Sequence, residues 1–212
     1  MPKLYHEISM SLDGFVAGPN TGLEHPLGEG GERLHEWATG LESWRESHGK
    51  SGGRSGRDDE LMQESIDRGG AVIMGKNMFG PGPGPWGDDP WQGWWGEDPP
   101  FHKSVFVLTH HEREPLRLSD TTFTFVTDGP ESALEQARDA AGDKDVQIAG
   151  GASAAQQYLR AGLVDELLIH VAPVLLGGGV RLFDNLEGAD PKLEPIEVVE
   201  SPAVTHLRYR VS

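Results

Sequence analysis

The chain has 212 residues, of which 36% are hydrophobic, with 29 glycines, 15 prolines, no cysteine and a formal charge of −16. That length can bury a sizeable core in one domain or at most two. The charge argues against a basic face for nucleic acid or anionic membranes, the lack of cysteine excludes disulfides and thiolate chemistry, and no apolar run is long enough to span a bilayer. With no basic, apolar leader at the N-terminus, a soluble, cytoplasmic protein is expected.

Residues 4–10 carry Leu4, Ile8 and Met10 in a pattern that reads as a strand, and residues 11–19 turn out of it, with Asp13 before Gly14 as a turn former. Residues 20–31 are rich in glycine and proline and should be loop. Residues 32–44 place Leu34, Trp37, Leu41 and Trp44 along one apolar helix face. The glycine- and serine-rich stretch 48–57 follows as a flexible linker. A second helix is predicted over 58–68, because Asp58, Asp59 and Glu60 suit the positive end of its dipole and Gly69-Gly70 suits its end. Ala71-Val72-Ile73-Met74 then reads as a strand buried on both faces. Residues 75–80 leave its carboxyl end, where open α/β sheets place their ligands.

Residues 81–100 hold Trp86, Trp91, Trp94 and Trp95 among glycines, prolines and acids. Four indoles need cover, so this loop is expected to be a lid over a pocket or a subunit contact. Residues 104–109 form another buried-type strand, followed by His110-His111-Glu112-Arg113. Adjacent histidines point apart and find no third partner at ligand spacing, so no metal site is expected. A hydroxyl, an imidazole and a guanidinium at a strand end suit a phosphate monoester instead. After a strand at 122–126 and an amphipathic helix at 131–141, the strand 146–149 runs into Gly150-Gly151 and a helix-compatible segment with Ser153 in its first turn. Glycines there let the backbone approach a ligand, and the free N–H groups of the helix suit phosphate. Residues 163–176 form a long β-rich run, and 193–200 with 203–211 an antiparallel pair. Strands that alternate with helices and then follow one another indicate an α/β fold, a largely parallel sheet with an antiparallel edge.

Five stretches in this order resemble the reductase domain of riboflavin biosynthesis, which shares the fold of dihydrofolate reductase. They are Ser11-Leu12-Asp13-Gly14-Phe15-Val16-Ala17, Val72-Ile73-Met74-Gly75-Lys76, Val107-Leu108-Thr109, Ile148-Ala149-Gly150-Gly151, and Val164-Asp165-Glu166-Leu167 with Ala172-Pro173-Val174-Leu175-Leu176-Gly177. The resemblance covers nearly the whole chain except the loops near 19–57 and 80–102. It implies one reductase domain over 1–212, an eight-stranded, mostly parallel sheet flanked by helices, NADPH as hydride donor, and a homodimer. Since the chain lacks cysteine and opens at the first reductase strand, no deaminase domain is expected with it.

Carried over by position, the resemblance puts Gly75, Lys76 and Met78 on the adenosine-phosphate side and Thr109, His110 and Arg113 around the 2′-phosphate. Gly150, Gly151, Ala152 and Ser153 would receive the pyrophosphate, and Val16 and Ala17 would border the nicotinamide, with Asp13 on the substrate side. Asp59 lies about as far before Met74-Gly75-Lys76 as the pterin-contacting carboxylate of dihydrofolate reductase, and Asp13, Asp59 or a bound water are the candidate proton donors. Trp37, Phe79 and Trp86 would stack a flat heteroaromatic substrate. Ala149 stands where the riboflavin enzymes carry a substrate-associated acid. The expected activity is NADPH-dependent reduction of a small pyrimidine- or pterin-like heterocycle or a carbonyl compound, similar to 5-amino-6-(5-phosphoribosylamino)uracil reductase. Dihydrofolate reduction and a non-catalytic, dinucleotide-binding dimer are the alternatives.

Overall fold

The computed structural model describes residues 2–80, 82, 84–88 and 90–212. In chain order its elements are β1 (Leu4–Ser11), β2 (Phe15–Ala17), a 3-10 turn (Gly31–His35), α1 (Glu36–Thr39), α2 (Glu42–Ser47), α3 (Arg57–Arg68), β3 (Gly69–Gly75), α4 (Lys76–Phe79) and β4 (Ser104–Leu108). Then come β5 (Leu116–Leu118), β6 (Thr121–Val126), α5 (Pro130–Ala141), β7 (Asp145–Gly150), α6 (Ala152–Arg160), β8 (Glu166–Ala172), β9 (Val180–Arg181), β10 (Leu193–Glu200) and β11 (Thr205–Val211). Nine strands form one sheet in the order β10-β11-β8-β1-β7-β3-β4-β6-β5, and β2 pairs with β9 in a separate ribbon. From β8 across to β6 the six strands run parallel, so their carboxyl ends share one edge, while β10–β11 and β5 add antiparallel margins.

The ninth strand, one more than the resemblance implied, is β5. With three residues it is too short for an alternation to show in the sequence. The helix expected over 32–44 is broken into the 3-10 turn, α1 and α2. Leu41 is extended (φ −77°, ψ 150°), and Arg54 pairs with the chain on either side of it, its N–H donating to Gly40 O (2.8 Å) and its carbonyl accepting from Glu42 N (3.1 Å). The apolar face survives the break, with Leu34, Trp37 and Leu41 at most 4% exposed. The linker is correspondingly tethered, since the Arg45 guanidinium also binds the carbonyls of Ser51 and Gly52. The run 163–176 contributes only Glu166–Ala172 to the sheet, because Pro173 has no N–H for the ladder and the chain turns there, Val174 N reaching Ala172 O at 2.8 Å.

On one face of the sheet Ile73, Val146, Ile148, Leu167 and Ile169 pack against α5 and α6. On the other, Val72, Met74, Val105, Val107 and Phe123 meet Phe79 and the tryptophan-rich loop. That loop lies on its own sheet, its indole N–H groups bound to backbone: Trp86 to His111 O, Trp91 to Phe79 O and Trp94 to Met78 O, each at 2.9 Å. Trp95 stacks over Phe123 at 6.0 Å. An indole whose N–H and rings are both engaged is a fixed wall.

Candidate functional site

A cleft of about 270 Å³ opens at the shared edge, where the carboxyl ends of β3, β4 and β6 meet the start of α6. Five of the predicted ligand residues line it together: Gly75, Lys76, Thr109, His110 and Ser153. Asn77, His111, Thr127 and Gln157 join them; Thr127 was within reach of the same strand-end logic, since it directly follows β6. No carboxylate occurs among the described lining residues, although the chain holds 34 Asp and Glu.

The Thr109 hydroxyl accepts from His111 N at 3.1 Å, which fixes the turn carrying the two imidazoles. Lys76 is only 9% exposed; its ammonium donates to the Gly82 carbonyl and lies 4.3 Å from the centre of the Trp86 ring. Burial, and then the nearby Arg113 charge, draw its pKa below the ordinary lysine value. No side chain caps α6. The Gly150–Gly151 peptide is cis. Gly150 has φ 145°, and a Cβ there would stand 3.1 Å from Met78 Sδ, whereas a Cβ on Gly151 would meet nothing within 4 Å. An approachable backbone, an uncapped helix start and cationic or neutral donors fit phosphate groups, and so fit the dinucleotide implied by the resemblance.

Other expected positions lie elsewhere. Arg113 does not line the cleft. Its guanidinium donates to Trp91 O at 2.5 Å and sits over Phe125, Trp86 and Phe79 at 4.7, 4.9 and 5.6 Å, so it is engaged by the tryptophan loop. The Met78 sulfur stands where it would meet a Cβ on Gly150, and Ala152 is 4% exposed in the core. Val16 is also core, and Ala17 belongs to the β2–β9 ribbon, away from the cleft. Nor do the three aromatic residues share one substrate pocket. Phe79 is fully buried, with Trp86 edge-on to it at 5.8 Å, while Trp37 lies in a different cluster with Leu41 and Val204.

Both side chains named as candidate proton donors are held by hydrogen bonds outside the strand-end cleft. Asp13 accepts from Leu176 N (3.2 Å) and Gly177 N (2.7 Å), and a Ser11 hydrogen bond followed by these amides holds its pKa down at about 2. It is a loop-closing carboxylate, ionised at neutral pH. Asp59 accepts from Ser43 N (2.8 Å) and Ser43 Oγ (2.7 Å), and so anchors the first turn of α2. Its neighbour Asp58, read only as a cap, lies instead in the wall of a cleft of about 890 Å³ bounded by α1, the start of α3, the end of β8 and the β10–β11 turn.

Comparison with known proteins agrees with this architecture. "Uncharacterized protein YwjB" of Bacillus subtilis is 31% identical over 84 residues, 40% of this chain and 46% of that protein. The riboflavin biosynthesis protein RibD of Mycobacterium tuberculosis is 40% identical over 85 residues, 40% of this chain but 19% of that protein. The matches thus span less than half the length of either curated relative. A Shewanella sp. PV-4 protein assigned to riboflavin biosynthesis superposes with a TM-score of 0.63 over 99% of both chains at 22% identity, and so shares the fold. The family model for the RibD C-terminal domain matches residues 2–207, and the chain belongs to that family.

Proposed function

We propose that this chain is an NADPH-dependent reductase of a small heterocyclic or carbonyl substrate, built as one reductase domain and acting as a cytoplasmic homodimer. The observation that carries the reading is the strand-end cleft: no carboxylate occurs among its described lining residues, in a chain of charge −16. Lys76, Thr109 and His110 would hold a phosphate monoester, with His111 beside them, and Gly151 with the start of α6 would take a pyrophosphate. NADPH, when bound, supplies the hydride. The protein's part is to orient that cofactor against the substrate carbon and to exclude water. Family membership favours a pyrimidine of the riboflavin pathway, and Ala149 in place of an acid favours a substrate that departs from the phosphoribosyl form. With Asp59 engaged by Ser43, dihydrofolate reduction loses the carboxylate it was expected to use.

Calorimetric titration with NADPH and NADH tests the reading. NADPH should bind, NADH should bind more weakly, and Lys76→Met should cut the affinity for NADPH by roughly tenfold, about 1.4 kcal/mol. If neither nucleotide binds the wild-type protein, the proposal fails.

A further inference from the structure

Between the start of α3 and the sheet lies a row of four titratable side chains outside the strand-end cleft, Asp58 from the helix and Glu7, His170 and His206 from β1, β8 and β11. Asp58 Oδ1 lies 3.1 Å from His206 Nε2, His206 Nδ1 lies 2.8 Å from His170 Nδ1, and His170 Nε2 lies 3.0 Å from Glu7 Oε1. The two imidazoles are 7% and 6% exposed and are paired residues on β8 and β11. Every atom at these three contacts is an acceptor unless protonated, so each contact needs one proton. Three contacts need three protons, and two neutral imidazoles bring two.

We propose that the row Asp58–His206–His170–Glu7 is a proton-binding site that holds this third proton, and that the proton latches the segment 31–47 onto the sheet through Trp37. The proton belongs to the row as a unit. Placed on the imidazoles, it gives one imidazolium between two carboxylates. Glu7 is set up for that role: burial alone would raise its pKa, but the hydrogen bond and charge of His170, with Ser65 and Arg68, bring it below the ordinary carboxylate value. Burial pulls the His206 pKa down, which suits a neutral ring that donates to Asp58 and accepts from His170.

The other charged or titratable groups around the row are Tyr5 on β1, His35 in the 3-10 turn, Glu64 and Arg68 on α3, Glu197 on β10 and Arg208 on β11, with Arg33, Glu36, Arg54, Arg57 and Glu200 lining the cleft that Asp58 and Trp37 share. Arg68 and Arg208 are paired with Glu166, and burial draws the His35 pKa down. The carboxylates of Glu7 and Asp58 therefore supply the direct partners for an added positive charge.

Trp37, carried by α1, packs its ring 4.8 Å from His170 and 5.2 Å from His206 and donates its Nε1–H to Ser9 Oγ at 3.0 Å. Loss of the proton leaves two lone pairs facing each other at one contact and removes the cation from beside the indole. Asp58 and Trp37 both line the cleft of about 890 Å³, so the row exchanges protons with that cleft and the latch governs one of its walls.

Histidine NMR on the full chain, combined with amide hydrogen exchange over residues 31–47, tests this without any assumption about the reductase reading. At about pH 7.5 the row should carry three protons, and protection of 31–47 should fall as the row titrates with rising pH. Asp58→Asn should shift that loss of protection to lower pH by about one unit. Two neutral imidazoles with both carboxylates ionised at about pH 7.5 would overturn the proposal, and so would protection that ignores the titration of the row.

Discussion

Glu166 offers a demanding test of how the polar side of the sheet is stabilised. Its side chain is 2% exposed, yet three cations converge on it: Lys3 at 2.5 Å, Arg208 at 2.7 Å and Arg68 at 2.8 Å. Burial alone would raise the carboxyl pKa, but hydrogen bonds from Lys3 and Arg208 and the charge of Arg68 bring it from 4.5 to about 2. A carboxyl depressed in the folded state stabilises the protein fully above its unfolded value, and the contribution is lost as pH falls toward 2. Glu166→Gln keeps the shape and removes the anion. Breaking a buried ion pair from one side costs about 3–5 kcal/mol. Lys3 is 50% exposed and Arg208 35%, so both can rehydrate, and Arg68 keeps Asp145 at 2.7 Å. The lower end, about 3 kcal/mol, is therefore expected, a fall in Tm of about 6–12 °C for a chain of this size. Thermal unfolding followed by circular dichroism at several pH values should show that gap at neutrality and a narrowing in acid. A gap below about 1 kcal/mol at neutral pH, or one that does not change with pH, would refute the reasoning.

Arg113→Met should lower stability by about 1–2 kcal/mol, through the lost aromatic contacts and the Trp91 hydrogen bond, and leave the NADPH-to-NADH affinity ratio unchanged. A collapsed ratio in a stable variant would return Arg113 to the phosphate site. Thr109→Val removes the hydroxyl that fixes the His110–His111 turn and should weaken NADPH binding about tenfold in the same titration. Asp13→Asn should leave the acid limb of the pH–rate profile where it is, since a group held near 2 is already ionised; loss of that limb would reinstate Asp13 as donor. Gly150→Ala should cost about 1–3 kcal/mol in chemical denaturation, because φ 145° and the Met78 sulfur both oppose a Cβ.

The strands of the parallel sheet and the glycine turn between β7 and α6 were legible because their signals are local: apolar runs of strand length, and glycines followed by a helix. What failed depended on distant partners. Nothing near Gly40 announces that Arg54 will return to break the helix, and nothing near Arg113 announces that Trp86 and Trp91 will enclose it. Asp58 and Asp59 are indistinguishable as caps, but one residue turns a helix by about 100°. That rotation sends Asp59 toward α2 and Asp58 toward β11. His170 and His206 lie in two unremarkable β-rich runs, and only the antiparallel register sets them opposite each other. An alternation argument could place each on a sheet face, but it could not align the two strands.

The strand-end cleft has a local character opposite to that of the molecule around it. Under the proposed function, a phosphorylated ligand would have to cross the repulsive far field of a chain of charge −16 before it met Lys76 and the start of α6. Screening reaches only about 8 Å at physiological ionic strength, so added salt weakens the repulsion during approach more than it weakens the enclosed contacts. Association should therefore quicken as salt is raised from very low values, while dissociation changes little. This is the reverse of electrostatic steering: the protein would capture its anionic ligand better in saline than in dilute buffer.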